Sequence, residues 1–222
     1  YIDNPNGNPI VSLYFDKEKL VGHYAVIPMN FFYDQKSLNA VLSMTTMVDI
    51  AYRKYGIFVD QANEVYEKAN ELGYKFVYGF PNKKSAPGFK KRLNWTLEEN
   101  LYVAKFTFRE LQNIEKKIYT TSISFNTQDK KNVEWRLSKP NQEYIIEKNN
   151  ILKKFDNAYD VVFNRADFSM LDKNSQYNIL LEHNLDKYLD KKEFDYIFGY
   201  RLFDASFKGV EFKKDLIMSD VF

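Results

Sequence analysis

The chain of 222 residues is 45% hydrophobic and 17% aromatic, contains no cysteine and carries a formal net charge of +2. This composition suits one large or two small domains with a real core, and it excludes disulfides and thiolate catalysis. The small charge disfavours nucleic acid as a partner, and the two histidines, far apart in sequence, predict no metal site. No apolar run approaches a membrane span and nothing resembles a signal peptide, so we predict a cytoplasmic chain without a membrane partner.

Three antiparallel strands are predicted after a loop rich in Asn, Pro and Gly. Apolar and β-branched residues indicate these strands over residues 10–15, 20–32 and 40–48. His23 falls within the second strand. Its imidazole is either a base near a bound acceptor or a half-buried strand residue with one hydrogen bond. We favour the second interpretation, because no orienting partner is visible in the sequence.

A helix and a fourth strand are predicted next. Apolar residues recur at steps of four and three, the period of one buried helical face, at Phe58, Ala62, Val65, Ala69 and Leu72. Gly73 supplies the stop of this helix, and residues 75–80 indicate a strand that should lie parallel to the third. A helix that begins at Gly56 presents unpaired N–H groups and the positive end of its dipole to an anion, and we expect that anion to be a pyrophosphate.

The turn before this helix, Arg53-Lys54-Tyr55-Gly56-Ile57-Phe58, resembles the acyl-CoA turn of the GCN5-related N-acetyltransferase (GNAT) superfamily, Q/R-x-x-G-x-G/A. Arg53 and Gly56 match this motif, whereas Phe58 departs from it. The flanks, Thr46-Met47-Val48 and Tyr78-Gly79-Phe80-Pro81-Asn82, also resemble one branch of the superfamily. A generic strand-to-helix turn in another α/β domain is the alternative. The resemblance covers residues 1 to 95 well and implies acetyl-CoA as co-substrate, bound by Thr46, Met47, Val48, Arg53, Lys54, Tyr55, Gly56, Ile57, Phe58, Asn82 and Ser85.

The resemblance implies acetyl transfer to a primary amine, but the sequence assigns no catalytic residue. Many GNAT members carry, seven residues after the Asn that matches Asn82, a Tyr that protonates the leaving thiolate. Phe89 occupies that position and has no proton to give. The basic residues between 83 and 92 either contact the 3′-phosphate of the cofactor or form a solvated face of a short helix, in which Pro87 must lie in the first turn.

The second half of the sequence resembles a degenerate repeat of the first. Residues 135–146 echo 1–11, and 194–200 echo 74–80. A helical pattern precedes the latter segment, at Tyr177, Leu181, Leu185 and Tyr188. The turn before this second helix, Met170 to Ser175, has no Gly or Arg, and Asn174 or Ser175 should cap the helix in place of a phosphate.

We place the boundary between the copies in the stretch from Phe106 to Lys131, which begins with a short helix predicted from Arg109 to Lys117 and ends polar. This gives an acyl-CoA-binding unit at 1–105 and a degenerate GNAT-like unit at 106–222. His183 is expected to be a partly exposed structural residue of the second helix. The chain opens on Tyr1 without an initiating Met, and a strand and two helices precede this point in GNAT members, so we expect a fragment or a trimmed chain.

The predicted fold class is α/β (α+β), with a GNAT-like mixed, mostly antiparallel sheet, a β-α-β CoA-binding unit and a degenerate second unit. The predicted activity is acetyl-CoA-dependent N-acetylation of a small-molecule amine, and the abundant Tyr and Phe favour an amino sugar. Two alternatives stay open. One is a CoA-binding or structural relative without catalysis, favoured by Phe58 and Phe89. The other is a basic-aromatic nucleic-acid module around residues 83–92, which the near-neutral charge disfavours.

Overall fold

The computed structural model describes residues 3–114, 119–147, 150–164, 168–169, 171–182 and 185–219. The chain divides into two units. The first comprises the residues up to Leu97 together with Phe198–Val210, and the second comprises Glu98–Ile197 together with the stretch from Glu211 onward. The first unit therefore includes a segment, Phe198–Val210, that lies late in the sequence. No single cut, such as the predicted division after residue 105, gives these two units.

The first unit contains the elements predicted for its part of the chain. They are β1 (Ile10–Asp16), β2 (Lys19–Tyr33), β3 (Lys36–Val48), α1 (Ile57–Glu71), β4 (Phe76–Gly79) and α2 (Ala86–Arg92). β1, β2 and β3 are antiparallel to one another, and β3 and β4 are parallel, as predicted. Pro87 lies in the first turn of α2, where its missing N–H costs no helical hydrogen bond.

Ten further strands and α-helices follow within the described residues. They are β5 (Thr96–Thr107), α3 (Phe108–Leu111), β6 (Ser122–Phe125), α4 (Lys130–Leu137), β7 (Tyr144–Glu147), β8 (Asn150–Phe155), β9 (Ala158–Asn164), β10 (Gln176–Leu181), β11 (Lys192–Leu202) and β12 (Glu211–Phe212). The end of β11 pairs antiparallel with β4 and so completes the first unit. In the second unit, β5 pairs antiparallel with β10, and β10 runs parallel to β9.

The strand order shows the internal repeat. In the first unit β1, β2 and β3 form antiparallel neighbours and β3 pairs in parallel with β4; in the second unit β7, β8 and β9 do the same, and β9 pairs in parallel with β10. The matching of segments differs from the predicted one, because β10 corresponds to β4 whereas residues 194–200 belong to β11. The two-unit arrangement is confirmed with this corrected alignment.

The prediction of a second helix through Tyr177 and Leu181 is wrong. Residues 176–181 form β10, and Leu185–Lys191 forms a 3₁₀ helix with a kink at Tyr188. A spacing of four residues satisfies both a helical face and the period of two in a strand, and Ile179, halfway between the two apolar positions, is also buried. His183 lies outside the described residues.

Two local expectations around the second unit also change. Asn174 and Ser175 cap no helix; the Asn174 N–H and the Ser175 hydroxyl both donate to the Asp172 carboxylate, in a turn that leads into β10. The helix predicted from Arg109 begins at Phe108, where Thr107 and Glu110 form a capping box, and it ends at Leu111. Residues 115–118 and Met170 lie outside the described residues. Among the helices that the structure describes, none is long and apolar enough to cross a membrane.

The buried face of α1 is close to the predicted one. Ala62, Val65 and Ala69 are buried as predicted, but Leu72 is 58% exposed and Tyr66, which the pattern omits, is 2% exposed. Gly73 ends the helix with φ +86, a left-handed conformation that glycine adopts without a steric cost. The face thus ends one turn earlier than the spacing predicts.

Gly22 of β2 lets α1 approach the sheet closely. A Cβ atom at Gly22 would lie 2.7 Å from side-chain atoms of both Ile57 and Gln61 of α1. Gly22 also pairs with Val48, the last residue of β3. The first turn of α1 therefore packs directly over the end of β3, and this packing brings the predicted site residues of the strand and of the helix together.

Candidate functional site

In the part of the chain that the structure describes, the end of β3 extends beyond its pairing with β4. The last pairs between β3 and β4 are Val41 with Val77 and Leu42 with Tyr78, and β4 ends at Gly79, whereas β3 continues to Val48. Residues 43–48, here called the β3 edge, thus extend beyond the parallel pairing with β4. Backbone N–H and C=O groups on such an edge are available to a ligand that lies along the strand. Thr46, Met47 and Val48 of the predicted site belong to this edge.

A strained bulge interrupts the β3 edge. His23 pairs with Met47 and Ala25 pairs with Met44, so β3 carries one extra residue between these pairs. Thr45 has φ +46, which is an outlier for a β-branched residue and costs about 1 to 3 kcal/mol. Strain of this kind persists only where the surrounding structure enforces it, and it concentrates at functional sites.

His23 helps to hold this bulge. Its Nδ1 lies 2.6 Å from the Thr45 carbonyl oxygen. Because a carbonyl oxygen can only accept, Nδ1 carries a proton and donates in this bond. His23 is half buried with this one bond, as the favoured interpretation expects.

A short 3₁₀ helix, Ile50–Tyr55, joins β3 to α1 and was not predicted. Its cap is Asp49, whose carboxylate accepts from the Ala51 N–H at 3.0 Å and from the Lys19 ammonium at 2.6 Å. The hydrogen bond from Lys19 lowers the pKa of Asp49. Arg53 Nε donates to the Val48 carbonyl at 3.2 Å, which draws this basic side chain back onto the end of β3.

Gly56 ends the 3₁₀ helix and begins α1. Its φ of +80 reverses the chain, and no side chain caps the first turn of α1. Within the described part of the chain, the N–H groups of Ile57 and Phe58 have no hydrogen-bond partner. Free N–H groups at the positive end of a helix form a site for a phosphate. Asp60 lies nearby, since a Cβ atom at Gly56 would be 3.9 Å from its Oδ2 atom.

Phe58 departs from the motif without filling the turn. Its ring lies 5.3 Å from the ring of Phe89 and 6.2 Å from that of Tyr24, in the core between α1, α2 and β2. The bulk of this side chain therefore points away from the free N–H groups. A small residue at this position would leave a gap in the core.

Asn82 and Ser85 shape the start of α2. The Asn82 Oδ1 atom accepts from the N–H groups of Lys84 and Ser85 at 2.9 and 3.0 Å, and the Ser85 hydroxyl donates to the Asn82 carbonyl at 3.2 Å. The Asn82 Nδ2 group has no partner among the residues described. Gly88 of α2 lies close to the Phe58 ring, since a Cβ atom at Gly88 would be 3.4 Å from that ring. α2 therefore packs beside the first turn of α1.

Phe89 is a core residue. It is 7% exposed, and its ring lies 4.5 Å from that of Trp95. We expect Phe89→Tyr to lower the free energy of unfolding by about 1 to 3 kcal/mol, because the new hydroxyl would enter an apolar cluster. Chemical denaturation measures this loss, and titration with CoA should show nearly unchanged affinity. An unchanged stability would mean that the hydroxyl finds a partner and that this position can hold a proton donor after all.

A chain of hydroxyl groups leads from the core to the β3 edge. The Ser43 hydroxyl lies 2.7 Å from that of Tyr24, Tyr24 lies 2.7 Å from the hydroxyl of Tyr66, and the Trp95 indole N–H donates to Tyr66 at 3.1 Å. The guanidinium of Arg201 lies 5.3 Å from the centre of the Tyr66 ring. Burial raises the pKa of Tyr24 to about 12 and that of Tyr66 well above its usual value, so both are neutral. No sequence pattern predicts this hydroxyl chain, because its members are far apart and have no common spacing.

Comparisons with known proteins identify the fold. No model of a known protein family matches the sequence, and no curated protein matches it. Among solved structures, a GCN5-related N-acetyltransferase from Kribbella flavida is similar, with a TM-score of 0.55, 11% identity, and coverage of 85% of this chain and 58% of that chain. One from Anabaena variabilis has a TM-score of 0.52 and 9% identity, with coverage of 86% and 62%. The chain has the GNAT fold.

The GNAT fold explains the mixed, mostly antiparallel sheet and the repeat of strand order. The chain spans less than two thirds of the length of these two GNAT proteins. Their identity to this sequence is too low to transfer site residues by alignment. The function must therefore follow from the geometry of the β3 edge and of the first turn of α1.

Proposed function

We propose that the chain is an acetyl-CoA-dependent N-acetyltransferase that transfers the acetyl group to a primary amine of a small molecule. The observation that carries this proposal is the meeting of two features. The uncapped first turn of α1 at Gly56 and the strained bulge of the β3 edge at Thr45 lie at the two ends of one short segment. The first offers donors to a pyrophosphate, and the second offers backbone groups to the amides of a pantetheine arm.

The residues present suit this cofactor. The free N–H groups of Ile57 and Phe58 would hold the pyrophosphate, and the positive charges of Arg53 and Lys54 would offset the nearby carboxylate of Asp60. Asn82 would add its free Nδ2 donor. Acetyl-CoA would supply the activated acetyl thioester. The remaining members of the proposed binding set are Thr46, Met47, Val48, Tyr55 and Ser85.

The contribution of the protein to the chemistry would be alignment and electrostatic stabilisation. A backbone N–H group near Val48 would stabilise the negative charge that develops on the thioester oxygen. The amine must lose a proton before it attacks, and a basic side chain or a chain of water molecules would accept that proton. Positioning of the two reactants would supply the largest part of the rate.

We expect small primary amines to be acetylated, with amino sugars among the best acceptors. The test is a panel of amino sugars, polyamines and lysine-containing peptides incubated with acetyl-CoA, followed by mass spectrometry of the products and detection of released thiol. Acetylation of peptide lysine but of no small amine would contradict the proposed acceptor class. Tight binding of acetyl-CoA without any acetylated amine would support instead the catalytically impaired relative, which the burial of Phe89 favours.

A further inference from the structure

The hydroxyl chain that ends at Ser43 has a direction. The hydroxyl chain consists of the side chains of Ser43, Tyr24, Tyr66 and Trp95. Within the described residues, these side chains form hydrogen bonds to one another and to no further partner. Two hydrogen bonds join the three hydroxyls, and each hydroxyl carries one proton, so one proton has no acceptor within the hydroxyl chain. The position of that remaining proton decides which hydroxyl can donate to a ligand.

Burial places the remaining proton at Ser43. Tyr24 is fully buried and Tyr66 is 2% exposed, so a donor left over at either tyrosine would be buried and unpaired, which is costly. Ser43 is only partly buried and lies at the start of the β3 edge. The favoured order is therefore that Tyr66 donates to Tyr24 and Tyr24 donates to Ser43. The Ser43 hydroxyl can then donate to a group outside the hydroxyl chain.

Gly79 of β4 faces Ser43 at close range. A Cβ atom at Gly79 would lie 3.3 Å from the Ser43 carbonyl oxygen, 3.4 Å from the Ser43 Cβ atom and 3.4 Å from the Trp95 ring. Any side chain at this position would crowd the space between β3 and β4. This space adjoins the β3 edge, along which the proposed function places the pantetheine arm.

We propose that the Ser43 hydroxyl, held by Tyr24 and Tyr66, donates a hydrogen bond to the sulfur atom of bound CoA and stabilises the leaving thiolate. This inference rests on the proposed function. In acetyl transfer the C–N bond forms, the C–S bond breaks, sulfur keeps the electron pair and the proton lost by the amine goes to solvent. Negative charge thus collects on sulfur, and the Phe89 side chain has no hydrogen-bond donor to offer it. The order of donation among the buried tyrosines leaves the proton of the Ser43 hydroxyl available for this contact.

The test measures the pKa of the thiol of CoA itself when it is bound, from the ultraviolet absorbance of the thiolate across pH. Removing a hydrogen bond to a charged group should lower the thiolate fraction of bound CoA by about tenfold or more at neutral pH in Ser43→Ala. Ser43→Thr keeps the hydroxyl and should restore the wild-type value. Ser37→Ala is the matched control, because Ser37 also lies on β3 but bonds to Asn30 instead.

The outcomes separate this inference from the function on which it rests. If Ser43→Ala binds CoA and its thiol titrates as in the wild type, Ser43 does not donate to sulfur, and the inference is overturned. If Ser37→Ala shifts the titration equally, the effect is not specific and the inference is again overturned. If the wild type does not bind CoA, the proposed function falls first and the inference falls with it.

Discussion

Gly56→Val is expected to weaken CoA binding by about a hundredfold or more while leaving a folded protein. Two first-turn N–H groups would lose their geometry towards the phosphates, and hydrogen bonds to a charged group contribute about 1.5 to 3 kcal/mol each, where 1.4 kcal/mol corresponds to tenfold. The substitution also carries a backbone cost, because Gly56 has φ +80. Isothermal titration calorimetry with CoA measures the affinity, and thermal unfolding measures the backbone cost.

Gly73→Val separates the two effects. Gly73 has φ +86 with no atom within 4 Å of its would-be Cβ atom, at the opposite end of the same helix. Both variants should lose about 1 to 3 kcal/mol of stability from the left-handed backbone. Only Gly56→Val should lose CoA affinity. Equal CoA affinity in the two variants would show that the pyrophosphate does not bind at this turn.

Gly22→Ala is expected to reduce both the stability of the fold and the affinity for CoA. The new methyl group would lie 2.7 Å from side-chain atoms of Ile57 and Gln61, so the first turn of α1 must move off β2. Overpacking of this kind typically costs about 1 to 3 kcal/mol. Because the same turn carries the free N–H groups, its displacement should weaken CoA binding as well. Chemical denaturation and calorimetry measure the two losses on one preparation.

Gly88→Ala provides the comparison for this variant. Its would-be Cβ atom lies 3.4 Å from the Phe58 ring, an ordinary contact, and Gly88 lies within α2. Alanine in place of glycine in a helix is neutral or stabilising by up to about 1 kcal/mol. If Gly22→Ala proved as stable as Gly88→Ala, α1 would have to approach β2 less closely than described.

Local patterns predicted most of the first unit. The strands β1 to β3 have apolar and β-branched runs, and α1 has a helical period, so short-range physics is enough to locate them. The 3₁₀ helix before Gly56 has neither period, and six residues are too few to show one. It was missed for that reason. β10 was mistaken for a helix because the four-residue spacing of Tyr177 and Leu181 fits both periods.

The candidate site was predicted in part. The turn at Gly56 has a local signature, and the structure brings it next to Val48, where Arg53 closes the junction. The Phe58 ring lies in the core because it packs against Tyr24 and Phe89. These three residues come together only in the folded protein. The hydroxyl chain depends likewise on contacts between residues that are far apart in sequence. Such contacts leave no periodic trace, so sequence reasoning could not find Ser43.

The pairing of β4 with β11 has a consequence for folding. Gly79 pairs with Gly199, and Arg201 donates to Asn63 across 138 positions of sequence. Closing so long a loop costs entropy before the contact repays it, so the last steps of folding should be slow. During synthesis the N-terminal half would wait for its final strand with β4 as an open edge, the kind of edge that pairs with other chains. Chains that end before residue 198 should therefore aggregate, however intact the CoA turn is within them.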